Sequence, residues 1–251
     1  MTEKSTGTGL EIENKQKGRI IMIDIHCHVV HGVDDGPSSI QQSIRMVMEA
    51  EKLGIKKIIA TPHFHEGIFG SKQVQSKFDD LKKRMDGCGI DLFLGHEVFL
   101  QPNIPELIQS GKHLTLGNSG YILLELPYDT IPIYAYDVIY KLHLENIMPI
   151  IAHPERNIPF VKNIHSFIHF IEKGCLIQID AGSVVGAYGK KSKAFAKKIL
   201  QLQLVDFVAS DSHCAEDYNH RYPQAYQKIM GWVGEKYSKK LFYENPEMIL
   251  K

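Results

Sequence analysis

The chain has 251 residues, 43% hydrophobic and 23% charged, which suits one large globular domain or two small ones needing no disulfide staples. Lysine plus arginine equals aspartate plus glutamate at 29 each, and the formal charge of +0 excludes a nucleic-acid footprint and a polybasic membrane anchor. No apolar run approaches the ~18 residues that span a bilayer, so no membrane insertion is expected. The first 19 residues are polar and lack the apolar centre of a signal peptide. Cys27, Cys88, Cys175 and Cys214 form no CxxC pair and read as reduced thiols of a cytoplasmic protein. The unusual count is histidine, with 13.

Residues 1–18 have no sustained apolar period and are expected to form a disordered tail, followed by one domain over 19–251. Ile20–His26 reads as a buried strand. Ser38 or Ser39 suits the cap of a helix whose apolar positions Ile40, Ile44 and Val47 keep helical spacing, with a stop at Gly54. Ile55–Ala60 is a second strand. Val74, Phe78, Leu81 and Met85 mark a helix ended at Gly87. Strands follow at Asp91–Gly95 and Tyr121–Leu126, then a helix from Ile133 to Asn146 and a strand at Met148–Ala152. Ile164, Phe167, Ile168 and Ile171 form a helix stopped by Gly174, and Cys175–Asp180 is the sixth strand. Phe195, Ile199 and Leu202 lie on the next helix, Val205–Ser210 is the seventh strand, and the remainder is helical around Tyr222–Tyr237.

Seven strands alternating with helices predict a parallel sheet covered by helices. No Gly-rich phosphate loop follows the first strand, which argues against a dinucleotide fold. Polar residues instead collect at the strand ends: Asp24, His26 and His28 after the first, His63 after the second, and Glu97 after the third. Glu125 lies in the fourth, His153 ends the fifth, and Asp211 and His213 end the seventh. Such groups converge only if the strands close around an axis, so a distorted seven-stranded (β/α) barrel is expected, with its site at the C-terminal face.

His26 and His28 are two apart on a strand and share a face, so both imidazoles reach one ion, while Cys27 points the other way. With Asp35, His63, Glu97, Glu125, His153, Asp211 and His213 the candidate ligands number five histidines and four carboxylates, without a thiolate. Mixed nitrogen and oxygen donors suit Mn, Fe or Zn over Ca or a structural Cys-zinc site. Nine ligands exceed one ion's need and serve three, one carboxylate bridging. Three divalent ions against four carboxylates leave an excess of roughly +2, a trap for a phosphate monoester dianion.

The runs MIDIHCHVVHGVDDG, ATPHF, GHE, ILLELP, IIAHPER and ASDSH resemble the polymerase-and-histidinol-phosphatase (PHP) superfamily. In particular they resemble the CpsB-type protein-tyrosine phosphatases of capsule and exopolysaccharide loci in Gram-positive bacteria. The resemblance implies a metal-dependent phosphatase that hydrolyses phosphotyrosine on protein, its partner a bacterial tyrosine autokinase. It implies three divalent ions, Mn foremost with Fe or Zn as alternatives, and attack by a metal-bound hydroxide. By motif position His26, His28, Glu97 and Asp211 would hold the first ion. Glu97 would bridge to a second, completed by Glu125 and His153. Asp35, His63 and His213 would hold the third. Arg156 matches the arginine that holds phosphate. The family's second arginine has no counterpart in Cys214–His220, and Arg221 is the first one available.

Rival chemistries fit less well. A cysteine phosphatase needs Arg six residues after its Cys, and the four cysteines are followed there by Val33, Leu94, Ala181 and His220. An amidohydrolase bridges its metals with a lysine on the fourth strand, where this chain has Glu125. A phosphatase of a small monoester such as histidinol phosphate, and a metal-bound kinase regulator without turnover, remain as alternatives. Among the other residues, His31 and His65 are candidates for a supporting layer, and His96 should point away. His113, His143, His165 and His169 read as surface or core. Phe64, Phe69, Phe99, Tyr128, Tyr188 and Tyr218 follow strand ends and are candidates for the rim.

Overall fold

The computed structural model describes residues 21–68, 73–112 and 114–251. The expected tail over 1–18, together with Phe69 and His113, lies outside them. Among the described residues the chain forms nine strands in two parallel sheets, interleaved with helices. One sheet has the order β1 (Met22–Cys27), β2 (Ile55–Ala60), β4 (Asp91–Leu94). The other runs β3 (His63–Phe64), β5 (Glu97–Phe99), β6 (Tyr121–Glu125), β7 (Met148–Ala152), β8 (Leu176–Asp180), β9 (Phe207–Ala209).

Where one seven-stranded barrel is expected, the described residues form nine strands in two sheets, with β3 and β5 as short strands beyond the expected ends at Ala60 and Gly95. Thr61-Pro62 separates β2 from β3, and Gly95-His96 separates β4 from β5. Proline has no N–H for a ladder, yet the Pro62 carbonyl accepts from Glu97 N at 3.2 Å, and Gly95 N donates to the Ala60 carbonyl at 2.8 Å. A Cβ at position 95 would lie 2.9 Å from the Leu116 backbone, so the break passes where only glycine fits. The segment after β9 lies along β1. Asp211 N donates to the His26 carbonyl at 2.9 Å, and His28 N to the Ser212 carbonyl at 3.0 Å.

The helices that cover the sheets are α1 (Ile40–Lys52), α2 (Val74–Arg84), α3 (Ile104–Gln109), α4 (Ala135–Leu144), α5 (Ile158–Lys162) and α6 (Ile164–Glu172). They continue as α7 (Ala181–Val185), α8 (Gly189–Gln201), α9 (Ala215–Val233), α10 (Glu235–Lys239) and α11 (Asn245–Ile249). Ser39 caps α1, its side chain accepting from Gln42 N. Among the described residues no helix is long and apolar enough to cross a membrane.

Strand side chains alternate between two environments, as a period of two requires. Ile122, Leu124, Ile151, Ile177, Ile179 and Val208 join the core beneath the helices. Leu123, Ile150, Phe207, Ile23, Ile25 and Ile59 pack with one another in a second cluster, sealed by Leu116 and Ile249. On β1 the register slips between Asp24 and Cys27. Ile23 and Ile25 face the strand cluster, whereas Asp24 and Cys27 both meet the Tyr218 hydroxyl of α9, at 2.7 and 3.0 Å.

Candidate metal centre

All nine candidate ligands come to the C-terminal ends of the strands. His26 Nε2 and His28 Nε2 lie 3.2 Å apart, each 3.3–3.4 Å from Glu97 Oε2 and Asp211 Oδ1. His63 Nδ1 is 3.0 Å from the same Glu97 oxygen and 3.9 Å from Glu125 Oε2. His153 Nε2 lies 2.7 Å from the other Glu97 oxygen and 3.9 Å from Glu125 Oε1. Asp35 Oδ1 stands 3.3 Å from His213 Nε2 and 3.5 Å from His63 Nε2. Three groupings could each hold an ion: His26, His28, Glu97 and Asp211; His63, Glu97 and Glu125; and His28, Asp35, His63 and His213. Glu97, His28 and His63 each belong to two of them.

The donor set fits divalent ions. Gln178 Nε2 donates to Asp180 Oδ1 at 3.1 Å, which leaves its amide oxygen to accept from His26 Nδ1 at 3.0 Å. Asp34 Oδ2 accepts from His28 Nδ1 at 2.8 Å. With both Nδ1 protons committed, the two Nε2 lone pairs face each other and two carboxylate oxygens. While both imidazoles are neutral, four acceptors converge with no donor among them, and a proton or a metal cation answers that demand. The same field sets the pKa values of the side chains. Burial opposes charge on His26, but Glu97 and Asp211 outweigh it and push its pKa up to about 9. His153 is likewise opposed by burial, and Asp180 and Glu97 lift it to about 10. A hydrogen bond from His213 holds Asp35 down to about 2. Burial and the Glu97 charge raise Glu125.

Two ligand positions carry strained backbone. His153 has φ 32° and Asp211 φ 49°, the left-handed region that non-glycine residues avoid at a cost of ~1–2 kcal/mol. At His153 the chain leaves β7 for a 3-10 turn at Pro154–Arg156, whereas Asp211 stays hydrogen-bonded alongside β1.

Beside the ligands opens a cleft of about 530 Å³, walled by Arg156, Arg221, Tyr188 and Asp217. Arg156 Nη1 donates to Asp211 Oδ2 at 2.8 Å and to Asp180 Oδ2 at 3.1 Å. One carboxylate, Asp211, thus touches both the histidine pair and the arginine. Arg221 pairs with Asp217 at 2.8 Å, so both candidate arginines reach the cleft.

Asp34, Gln178 and Asp180 touch His28, His26 and Arg156, and the motifs gave none of the three a role. Their signal was available: Gln178 and Asp180 share inward parity on β8, and Asp34 precedes Asp35. Several rim candidates lie elsewhere. Tyr218 is buried against Asp24 and Cys27, because α9 packs over β1. Phe64 is buried edge-on to His96, and Phe99 stacks on His65 at 4.6 Å. His31 has Lys77 and Asp80 of α2 as charged neighbours. His143 bonds the Lys173 carbonyl, and His169 pairs with Glu172 at the surface. Tyr188 lines the cleft, and Tyr128 is exposed beside a small pocket that Arg156 and His153 also line.

Parallel strands that carry nitrogen and oxygen donors at their C-terminal ends, with arginines alongside, define a metal-dependent hydrolase of the α/β class. Within that class the chain belongs to the CpsB/CapC family of capsular polysaccharide synthesis, whose family model matches residues 22–251. It is 36% identical over 234 residues to the tyrosine-protein phosphatase YwqE of Bacillus subtilis, covering 92% of each chain. It is 30% identical to the tyrosine-protein phosphatase CpsB of Streptococcus pneumoniae, over 91% of this chain and 98% of that one. A solved structure from work on YwqE and CpsB, described as unique metal-dependent tyrosine phosphatases, superposes with a TM-score of 0.85. Its identity is 35%, over 91% of this chain and 94% of that chain.

Proposed function

We propose that this protein is a metal-dependent protein-tyrosine phosphatase acting on a phosphotyrosine protein, a bacterial tyrosine kinase of capsule or exopolysaccharide synthesis, in the cytoplasm. The observation that carries the reading is the convergence of His26, His28, Glu97 and Asp211, a group that could hold an ion, beside Arg156. The names and 30–36% identity of the relatives support the phosphotyrosine substrate.

Three divalent ions, Mn first and Fe or Zn next, suit His26, His28, Glu97 and Asp211; Glu97, Glu125 and His153; and Asp35, His63 and His213. Ions held there supply Lewis acidity and positive charge for a phosphate dianion. Asp34 and Gln178 favour the Nδ1–H tautomers of His28 and His26, which would leave Nε2 to meet an ion. Asp180 and Asp211 hold Nη1 of Arg156, which lines the cleft, and the planar fork of a guanidinium suits two phosphoryl oxygens. A tyrosine phenolate, with a parent pKa near 10, leaves with less protonation than an alkoxide needs.

The reading extends to the architecture. We take residues 19–251 as one domain and the two sheets as one seven-stranded barrel. In support, β2 with β3 and β4 with β5 each follow a single path, and the hydrogen bonds between β1 and the segment after β9 join the outer edges.

The test is kinetics on phosphotyrosyl and phosphoseryl peptides and histidinol phosphate, after metal stripping and defined reloading. Turnover of the phosphotyrosyl peptide should vanish on stripping and return with Mn. Preference for histidinol phosphate would move the protein to the small-monoester phosphatases. Full metal occupancy without turnover would make it a regulator.

A further inference from the structure

Tyr188 lies between α7 and α8, and its ring is part of the cleft wall. The guanidinium carbon of Arg156 sits 4.5 Å from the ring centre, and that of Arg221 sits 5.9 Å from it. The two arginines come from separate elements, a 3-10 turn after β7 and the body of α9. Each is held by acid on another side: Arg156 by Asp180 and Asp211, Arg221 by Asp217. Asp217 also accepts from His213 N at 3.1 Å, which ties this side of the cleft to a candidate ligand.

The ring has a built seat. A Cβ on Gly182 would stand 2.8 Å from ring carbon Cε2 and 3.3 Å from Cζ. Gly182 has no positive φ, so its backbone does not call for glycine. It lies inside α7, where glycine weakens a helix relative to alanine. What glycine gains there is room for Tyr188.

Two guanidinium groups repel each other, and each long side chain has many rotamers to lose. An aromatic face attracts cations and, being rigid, fixes where they stand. We propose that Tyr188, seated on Gly182, is a positioning residue that holds Arg156 and Arg221 as a pair for a phosphate dianion. This deepens the phosphatase reading and rests on it for the identity of the anion.

The experiment measures inorganic phosphate binding to the Mn-loaded protein by calorimetry, KM and kcat on a phosphotyrosyl peptide, and arginine Nε–Hε NMR signals of the metal-free protein. Tyr188→Phe keeps the ring and should hold phosphate affinity within about twofold. Tyr188→Leu and Gly182→Ala should weaken phosphate roughly tenfold and raise KM by a similar factor, with metal content unchanged. The Arg156 Nε–Hε signal should lose its ring-current shift in Tyr188→Leu. In an Arg156→Ala/Arg221→Ala background, Tyr188→Leu should cause no further loss, because its effect runs through the arginines. An equal loss in that background, or a Phe variant as weak as Leu, overturns the proposal. If Tyr188→Leu fails to fold, Gly182→Ala carries the same test, and wild-type phosphate affinity with Ala at 182 overturns it. Phosphate binding and NMR do not need turnover. A wild type that binds phosphate without hydrolysing phosphotyrosine would therefore sink the activity reading and leave the clamp standing.

Discussion

The inward columns of the strands end in opposite chemistry. Toward their N-terminal ends Ile23, Ile25, Ile59, Leu123, Ile150 and Phe207 pack as hydrocarbon beneath Leu116 and Ile249. Two residues further along the same columns stand Glu125 after Leu123, Gln178 and Asp180 after Leu176, and Asp211 beyond Phe207 and Ala209. The apolar end excludes water from below, so the buried acids above it are compensated by histidine, arginine and the Gln178 amide, with room for cations on the cleft side. The two ends therefore divide the work: one should carry stability, and the other ion and substrate binding.

The sharpest break in that division is Glu97→Gln. Glu97 is 1% exposed and touches His26, His28, His63 and His153. The amide keeps the shape and removes the charge, so ions should be lost and turnover should fall beyond the 10²–10³ of a lone electrostatic donor. Retained metal stoichiometry by elemental analysis would deny Glu97 its bridging place. Arg156→Ala should come next, with turnover down on the order of 10²–10³ and metal content unchanged, because guanidinium is no ligand. Near-normal turnover with full occupancy would remove Arg156 from substrate binding.

The polar end should also make the metal-free protein sensitive to pH. His26 and His153 reach about 9 and about 10, above the ordinary 6.5. A raised folded-state pKa gives stability that is fully present below the unfolded value and is lost as pH rises through the folded value. The metal-free melting temperature should accordingly fall between pH 6.5 and about pH 10. Loaded ions replace those protons, so the decline should vanish when they are present. A metal-free melting temperature that climbs across this window would contradict the charge arrangement. At the apolar end, Ile150→Val should cost about 1 kcal/mol of stability and leave metal content and turnover unchanged. A change in metal content there would show that the two ends are not independent.

Much of this arrangement was legible because ligand chemistry repeats at strand ends: HxH after the first, HPER after the fifth, DSH after the seventh. The rest required the fold. Strands of two or three residues, β3 and β5, have no period to read, and the Pro62 and Gly95 breaks look like ordinary strand ends. Nothing in a sequence announces that His153 and Asp211 take left-handed backbone. Tyr218, one of six aromatics that follow strand ends and each more readily structural than part of the rim, is buried against Asp24 and Cys27. Gln178 and Asp180 were within reach of the parity rule, but a glutamine inside an apolar strand carries no motif. The seat of Tyr188 on Gly182 is a pairing that neither residue reveals alone.

The smallest expected effect is that of thiol alkylation. All four cysteines are free, and the polar end places two of them near its ligands, Cys27 between His26 and His28 and Cys214 after His213. A covalent route would need one of them as an exposed thiolate. Cys27 is fully buried, and burial with the Asp24 charge pushes its thiol up. Burial likewise raises Cys175 to about 12. Cys214 is exposed, but partial burial of its thiol and the Asp217 charge raise it too, the reverse of what activates a nucleophile. Iodoacetamide applied to the metal-loaded protein should therefore modify Cys214 slowly and leave turnover within about twofold, as surface changes away from a site do. Cys214→Ser should match that result. If alkylation abolished turnover with ions still bound and the serine variant were equally inactive, the thiol and not the ligand cluster would be the reactive group. If only the alkylated protein failed, the added bulk beside His213 would be the cause, and the division between the two ends would stand.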